Sequence, residues 1–492
     1  REGENMNEEY NEEEYMEMLE TNAGVFSEAL PRVVRDFQKS AVEVSHYNDI
    51  PAGISFFTIL GQICKDFITI PNGRNHEDTR IHFCWIQTSG TGKSTLWNFV
   101  GPVANRVFKR INAQNAHPPY LNENNIPMNR IFDTFGITDY TDSVLIGGFT
   151  KEQDDDGENV YERNPGVLEG NGLAHWDEFE YSGIFKQTQH KENSIVYLNT
   201  LMNSLSGNSW IISKALTSFG GMVMECFCER SVIAMTYPPS NLNEVMAEKG
   251  VLQRMLVYCW EVPEFIQHKM RLEQIAKAGT IEEVNAPIDK YVEALMTIYN
   301  MTKKRWEDAN KNPLDTMTFT PDFNQVLRLE YETLRKIMQD AREDVAVIAG
   351  NFTTRLMKIL YKMSVLCSVA SAPSINNEED RFKVTGHNVR QAATIIKQCY
   401  MTLVDWLERT MRQKKRSIAE NNLEPIFVEI YDKLNKDDEG FVNKTNLLTE
   451  VKTKAKKSRA QIYRYYEVIR HKFEEKKEGR TTYIKMIKGD DE

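Results

Sequence analysis

The chain has 492 residues, a net charge of −11, 41% hydrophobic residues and 27% charged residues, which is typical of a soluble globular protein. It contains no run of about 18 apolar residues, which argues against a membrane-spanning helix, and its negative charge argues against a surface covered in nucleic acid. The seven scattered cysteines include no CxxC pair, so we expect reduced thiols in a cytoplasmic protein rather than disulfides or a zinc site.

The first half of the chain predicts three successive regions. Residues 1–20 are acidic and lack an apolar signal-peptide core, so we expect a flexible tail. Residues 21–78 show apolar spacing near 3.6, which predicts a small helical domain. Residues 79–270 alternate short apolar runs with helical patterns, which is typical of an α/β layer fold. The strands expected in this core are 81–86, 172–176, 231–236 and 255–260.

The second half is predicted to be mostly helical. Long amphipathic stretches over 271–412 indicate a helical insertion and lid. A polar, basic linker is expected over 413–422, followed by a compact αβ module over 423–488. Residues 441–488 carry nine more Lys and Arg than Asp and Glu, which favours a local anionic partner for this module.

A glycine-rich turn between an apolar strand and a helix predicts a site for ATP. Such a turn directs backbone N–H groups and the positive end of the helix dipole at a polyphosphate. The motif residues are Ser89, Gly90, Thr91, Gly92, Lys93, Ser94 and Thr95. Lys93 is expected to reach the β- and γ-phosphates, and Ser94 is expected to bind Mg²⁺. The pattern departs from the usual one at Gln87, where a glycine is expected.

Hydrolysis also needs carboxylates beside the phosphate loop. The segment "GLAHWDEFEYSGIF" supplies Asp177 and Glu178 at the end of an expected strand. We expect Asp177 to hold Mg²⁺ with Ser94, and Glu178 to polarise the attacking water.

Several stretches, in the same order along the chain, resemble the minichromosome maintenance (MCM) helicases of the AAA+ class. The resemblance covers roughly 80–410, and after the phosphate loop it is carried by "PGVLEGNGLAHWDEFEYS", "NSWIISKALTSFGGMVMECFCERSVIAMTYPPSN", "GVLQRMLVY", "GNFTTRLMKILYKMS" and "FKVTGHNVRQAATII". It implies an AAA+ P-loop ATPase core with a helical lid. The family's large N-terminal zinc-binding collar has no counterpart in residues 1–78, so the build resembles a short, viral or mobile-element type, which would act in a host cell.

The resemblance assigns further residues. Arg254 would be an arginine finger that reaches the site of a neighbouring subunit, and Arg355 would be the sensor-2 arginine at the start of a lid helix. Lys214 would sit on the hairpin before the sensor-1 strand, where the family has a lysine at the tip, and would touch the DNA backbone in a central channel. The sensor-1 residue would be Thr236 or Tyr237, because the family's Asn-Pro is replaced here by Tyr237-Pro238. Residues 145–160 would form a second channel loop, although the cluster at 154–156 is acidic.

The implied function is ATP-driven unwinding of duplex DNA during replication by a homo-hexameric ring. The expected polarity is 3′ to 5′, the partners are single-stranded or forked DNA, and a primase, a polymerase or other replisome proteins are candidates. A different function stays open, because the same ATPase ring could remodel a protein, as transcription activators, initiators and helicase loaders do. "IGGFT" (146–150) resembles part of the loop that enhancer-binding activators use to contact polymerase.

The C-terminal module is predicted to be a winged helix with three helices and a hairpin. Its third helix is expected to carry the residues that contact DNA, with a further arginine on the wing. The predicted DNA-binding residues of the module are Lys457, Arg459, Arg464 and Arg480. Winged helices also bind proteins, so a protein partner stays open for this module.

Overall fold

The computed structural model describes residues 29–115, 131–153, 159–186, 188, 190–206, 209–216, 222–248, 250–277, 287–420, 423–456, 459–479 and 481–487. The chain divides into two compact units, residues 1–407 and 408–492. Within the described ranges, no helix is both long and apolar enough to cross a membrane. The predicted tail at 1–20 and the acidic cluster at 154–156 lie outside the described residues.

The first unit combines eleven described helices with strands that form five sheets, one of five strands and four of two strands. Its helices are α1 (Arg32–Val44), α2 (Asp49–Cys64), α3 (Lys93–Gln114), α4 (Asp142–Ile146), α5 (Ser194–Leu201), α6 (Leu242–Glu248), α7 (Glu264–Lys277), α8 (Ile288–Asp308), α9 (Asp322–Asp340), α10 (Glu343–Ser371) and α11 (Gly386–Glu420), which runs on into the second unit. Its strands are β1 (Ile70–Asn72), β2 (Asn75–Glu77), β3 (Phe83–Gln87), β4 (Phe132–Ile137), β5 (Gly147–Gln153), β6 (Asn159–Pro165), β7 (Asn171–Trp176), β8 (Ile211–Leu216), β9 (Met222–Phe227), β10 (Ser231–Thr236), β11 (Leu256–Trp260), β12 (Thr318–Phe319) and β13 (Lys383–Val384).

A five-stranded parallel sheet forms the centre of the first unit, in the order β11-β3-β10-β7-β4. Four of its strands are buried along their whole length, as expected for parallel strands covered on both faces. These are the four strands that the sequence predicts, so the α/β expectation is confirmed. The sequence missed β4, an edge strand in which exposed positions and Gly136 interrupt the apolar run.

The helix α2 belongs to the core of the first unit rather than to a separate N-terminal domain. Every residue from Ile50 to Cys64 is buried. Gly61 permits a close approach, because a Cβ at this position would lie 2.2 Å from the carbonyl oxygen of Thr79. The described part of the segment predicted as a small helical domain, residues 29–78, is therefore part of the same compact unit as the sheet. All seven cysteines are buried, reduced thiols.

Two antiparallel hairpins extend from the sheet region. The strands β5 and β6 pair from Gly147↔Pro165 to Gln153↔Asn159, in the segment expected to form a channel loop. The strands β8 and β9 pair from Ile211↔Phe227 to Leu216↔Met222 and lead into β10. Arg163 joins the hairpins, because one of its guanidinium nitrogens donates to the carbonyl oxygen of Glu225 over 3.1 Å.

The predicted helical region is confirmed, but two details differ. The helix α10 begins at Glu343, so Arg355 lies well inside it and not at its start as the resemblance implied. The predicted linker is helical as far as Glu420, because α11 continues through it. Its Arg, Lys, Gln and Glu residues are good helix formers, which explains why a polar, basic segment is not a loop.

The second unit contains α12 (Glu424–Lys433), β14 (Val442–Asn443), α13 (Lys444–Ala455), α14 (Arg459–Ile469), β15 (Phe473–Glu478) and β16 (Thr481–Met486). Its three strands form an antiparallel sheet in the order β14-β16-β15. The side chain of Asn443 caps α13 by accepting from the backbone N–H of Asn446 over 3.1 Å. Tyr465 and Tyr466 pack in the core of this unit with Phe427.

Candidate nucleotide site

The predicted phosphate loop connects β3 to the first turn of α3. Gly90 and Gly92 have φ values of 74° and 88°, a left-handed conformation that other residues rarely adopt. A Cβ at position 92 would also lie 2.5 Å from Ser45 Oγ. Both the backbone conformation and the limited space at this position therefore require glycine. The helix that follows has 22 residues, and its N-terminus presents the unpaired backbone N–H groups that favour an anion.

A network of buried side-chain hydrogen bonds supports the phosphate loop. Gln87, fully buried, donates to Asn48 Oδ1 over 3.0 Å and to Thr91 Oγ1 over 2.9 Å. Asn48 Nδ2 donates to the carbonyl oxygen of Thr91 over 3.0 Å, and Ser45 Oγ donates to that of Gly92 over 2.9 Å. Gln87, which departs from the usual motif in the sequence, thus fixes the loop through its side chain. No pattern in the sequence indicates that the segment 45–48 contributes to this loop.

Lys93 lies at the loop with its ammonium group turned inwards. Its Nζ donates to the carbonyl oxygens of Gln87 and Thr88 over 2.7 and 3.1 Å. Burial lowers the pKa of Lys93 to about 8, while the nearby carboxylates of Glu180 and Asp177 act in the opposite direction. An ammonium group among carbonyl oxygens and carboxylates is placed to bind a phosphate oxygen.

Three acidic side chains follow the end of β7. Asp177 is half-buried, and its backbone N–H donates to the carbonyl oxygen of Ile137 over 3.1 Å, which ties this strand end to β4. Glu178 is exposed and has a φ of 56°, a strained conformation for a residue with a side chain. Glu180 lies in the 3₁₀ turn Phe179–Tyr181 and is buried. The sequence analysis missed Glu180, although it is the third acid in "DEFE".

The structure distinguishes the two candidates at the end of β10. Thr236 is buried, and its hydroxyl donates to Glu180 Oε2 over 2.5 Å, with the carbonyl oxygen of Tyr237 as a second acceptor at 2.8 Å. The side chain of Tyr237 is exposed at the rim, where the carboxylate of Glu180 raises its pKa. Thr236 is therefore the residue that contacts the interior of the site.

These groups meet in one cleft with a volume of about 370 Å³. It lies where β3, β7 and β10 end, the edge of a parallel sheet at which ligands commonly bind. The residues present fit a magnesium–triphosphate group, since the loop and Lys93 offer donors while Ser94 and Asp177 offer the oxygen ligands that Mg²⁺ prefers. The lining residues are Ser89, Gly90, Gly92, Lys93, Ser94, Thr95, Asp177, Glu178, Glu180, Met235, Thr236 and Tyr237.

Arg254 and Arg355 do not line this cleft, but share a second one of about 260 Å³. Arg254 donates to Asn199 Oδ1 over 2.8 Å and to the carbonyl oxygen of Gly250 over 2.9 Å. Burial, followed by the charge of Arg355, lowers the pKa of Arg254. Among the described residues, neither arginine forms an ion pair with a carboxylate.

The other lysines and arginine of this second cleft each have a carboxylate partner, although these three cations share only Glu77 and Asp78. Arg80 pairs with Asp78, and Lys362 lies near both Glu77 and Asp78. Lys358 pairs with Glu77. Arg254 and Arg355 are the cations of this cleft that lack a carboxylate partner among the described residues, so the cleft has excess positive charge and would attract an outside anion.

The predicted DNA-binding residues are placed as follows. Lys214 is half-buried on β8 and pairs with Met224, so it lies along the strand rather than at the tip of the hairpin. Arg459 is exposed at the start of α14, where its guanidinium lies 5.3 Å from the ring of Tyr463. Arg464 belongs to the same helix. Lys457 and Arg480 lie outside the described residues.

Comparisons with known proteins add no assignment. No protein-family model matches the chain. No curated protein matches it either. Functional conclusions therefore rest on the residues and the geometry of the two clefts.

Proposed function

We propose that this chain is a magnesium-dependent ATPase of the MCM-like AAA+ type that assembles into a hexameric ring and unwinds DNA. One observation carries the ATPase part of this proposal. The left-handed glycines, the N-terminus of α3, Lys93 and the acids after β7 all line a single cleft at the ends of parallel strands. This combination serves phosphate binding and Mg²⁺ binding together.

The residues of the cleft have distinct tasks in this proposal. The loop backbone and Lys93 bind the phosphate oxygens and orient the terminal phosphate. Ser94 and Asp177 would hold Mg²⁺, which supplies positive charge against the charge that develops on the phosphate oxygens. A carboxylate on the acidic side, Glu178 or Glu180, accepts a proton from the attacking water.

The second cleft, which contains Arg254 and Arg355 and is named the arginine cleft, supports assembly into a ring. Its lining residues include none of those that line the nucleotide cleft, so Arg254 and Arg355 are not part of the phosphate site of their own subunit. Two arginines without carboxylate partners suit the phosphate of a nucleotide bound to a neighbouring copy. An arginine supplied in this way couples hydrolysis to assembly.

Two further features favour DNA as the partner. The β8–β9 hairpin carries Lys214 next to the strand that ends at Thr236, so movement at the nucleotide could reach the hairpin. The second unit has the element order of a winged helix and a surplus of basic residues over 441–488. Lysine and arginine side chains that contact phosphates bind DNA without sequence specificity.

Strand displacement on a forked DNA with ATP and Mg²⁺ tests the proposal. We expect the full chain to separate the strands and Lys93→Ala to fail, with ATP hydrolysis lost in parallel. ATP hydrolysis by the full chain without strand separation, on forks of either polarity, would contradict the helicase and favour a remodelling ATPase. An absence of ATP hydrolysis would overturn the whole proposal.

A further inference from the structure

A buried carboxylate beside the phosphate loop has no role in the sequence-based assignment. The side chain of Glu180 lines the nucleotide cleft, and only 7% of the residue is exposed. A buried carboxylate is stable only when partners satisfy its charge and its oxygens. The hydrogen-bond partners of Glu180 therefore indicate which kind of group its carboxylate binds.

The two oxygens of Glu180 have different surroundings. Oε2 accepts a hydrogen bond from the hydroxyl of Thr236 over 2.5 Å, which fixes the orientation of the carboxylate. Oε1 is buried and has no hydrogen-bond partner among the described residues. A buried acceptor without a donor is unfavourable, so a hydrogen-bond donor bound in the cleft that Glu180 lines would satisfy Oε1.

The charge of Glu180 acts where the terminal phosphate would be bound. Of the two carboxylates that favour the charged form of Lys93, Glu180 has the larger effect and Asp177 the smaller. Lys93 is the side chain expected to reach the β- and γ-phosphates. The carboxylate of Glu180 is therefore close enough to Lys93 to act on its charge.

Glu178 meets these requirements less well. Its side chain is exposed, and within the described part of the chain no hydrogen bond fixes it. An effective general base is within reach of the proton it accepts and is oriented by a third group. Glu180 has such a group in Thr236, which lies at the end of the neighbouring strand β10.

We propose that Glu180, oriented by Thr236, is the catalytic carboxylate that accepts the proton of the attacking water. This inference rests on the proposed ATPase function. The oxygen of water forms a bond to the γ-phosphorus as the bond from that phosphorus to the β–γ bridging oxygen breaks. The proton of the water passes to Oε1 of Glu180, and ADP and inorganic phosphate leave. The same proton then returns to solvent.

The test compares Glu180→Gln with Glu178→Gln in the full chain, with and without forked DNA. Each variant keeps the shape of its side chain and loses only its basicity. ATP binding is measured separately from single-turnover hydrolysis, so that a loss of folding or affinity is not counted as a loss of chemistry. We expect Glu180→Gln to slow hydrolysis at least 100-fold with ATP affinity within threefold, and Glu178→Gln to slow it less than tenfold.

Substitutions at Thr236 add a readout that separates orientation from packing. Thr236→Ser keeps the hydroxyl and should retain at least half of the hydrolysis rate. Thr236→Val keeps the shape and removes the hydrogen bond to Glu180, so we expect a loss of at least tenfold in rate at unchanged ATP affinity. Equal rates in the two variants would contradict the role given to Thr236.

The outcomes separate this inference from the function on which it rests. Hydrolysis lost in Glu178→Gln, and retained or equally lost in Glu180→Gln, would overturn the inference while the ATPase stands. Hydrolysis retained in both variants but lost in Lys93→Ala would also overturn it. No hydrolysis by the unmodified chain, with or without forked DNA, would instead contradict the proposed function itself.

Discussion

The two clefts of the first unit have opposite chemical character. The nucleotide cleft combines one lysine with Asp177, Glu178 and Glu180, so its side chains carry excess negative charge that Mg²⁺ would balance. The arginine cleft contains Arg254 and Arg355 without carboxylate partners, so it has excess positive charge. Each cleft therefore has the charge that the other lacks. We interpret them as two halves of one active site that is completed between neighbouring copies of the chain.

The largest expected effect comes from removing Arg254, the proposed arginine finger. We expect Arg254→Ala to reduce ATP hydrolysis by about 10³-fold or more, because an arginine that stabilises the transferring phosphate has an effect of this size. ATP affinity should change little, since Arg254 does not line the nucleotide cleft. Steady-state hydrolysis and nucleotide-binding titrations measure the two effects. An equal loss of affinity would indicate that Arg254 supports the fold rather than the chemistry.

The second prediction concerns the buried ion pairs beneath the arginine cleft. Burial raises the pKa of Asp78, but Arg80 and Lys362 outweigh it and hold that pKa well below its usual value. Asp78→Asn should lower the free energy of unfolding by about 3–5 kcal/mol, because it leaves buried cations without their partner. Chemical denaturation at neutral pH measures this difference.

The sign of its pH dependence follows from the lowered pKa. A carboxyl group whose pKa is depressed by folding stabilises the protein above its unfolded pKa of about 3.9 and loses this effect as the pH falls. The difference between the unmodified chain and Asp78→Asn should therefore shrink below about pH 4. Asp380→Asn, on the surface, is the matched control and should have a much smaller effect at neutral pH. Similar effects of the two substitutions would contradict this account of the buried pair.

The third prediction tests the support of the phosphate loop. Gln87→Gly restores the residue usual in the motif but removes the hydrogen bonds to Asn48 and Thr91. We expect the free energy of unfolding to fall by about 1–3 kcal/mol and ATP affinity to weaken, because buried polar groups lose their partners. Thermal unfolding with and without MgATP measures both effects. An unchanged or tighter affinity would show that the side chain of Gln87 does not position the loop.

The smallest expected effect is on DNA binding by the β8–β9 hairpin. Lys214→Ala should weaken binding to single-stranded DNA modestly and reduce the salt dependence of log K by about 0.7–1, the contribution of one phosphate contact. Lys304→Ala, exposed on α8, is the control and should leave the salt dependence unchanged. Equal slopes for the unmodified chain and Lys214→Ala would exclude this lysine from the DNA contact.

The features that the sequence predicts well are those encoded by local pattern. Buried parallel strands are continuous apolar runs, and the phosphate loop is a contiguous motif with glycines at fixed positions, so both could be predicted. The edge strand β4 was missed because it is partly exposed and lacks such a run. The linker expected over 413–422 is instead the end of α11, since its polar residues also favour a helix.

The features that the sequence did not predict depend on contacts between distant segments. Glu180 and Thr236 are 56 positions apart, and only the pairing of β7 with β10 brings them together. The supporting role of Gln87 could not be predicted, because its partner Asn48 lies 39 positions earlier in the chain. The grouping of Arg254 with Arg355 in a separate cleft likewise depends on how α10 packs. Local periodicity contains no information about such pairs.

The most direct test of the two-cleft account is ATP hydrolysis by a mixture of Lys93→Ala and Arg254→Ala chains. The first variant keeps the arginine cleft and the second keeps the nucleotide cleft, so neither should hydrolyse ATP by itself. If the clefts complete each other between subunits, mixing should restore hydrolysis to a substantial fraction of the unmodified rate. A mixture as inactive as its two components, although the chains co-assemble, would contradict the account.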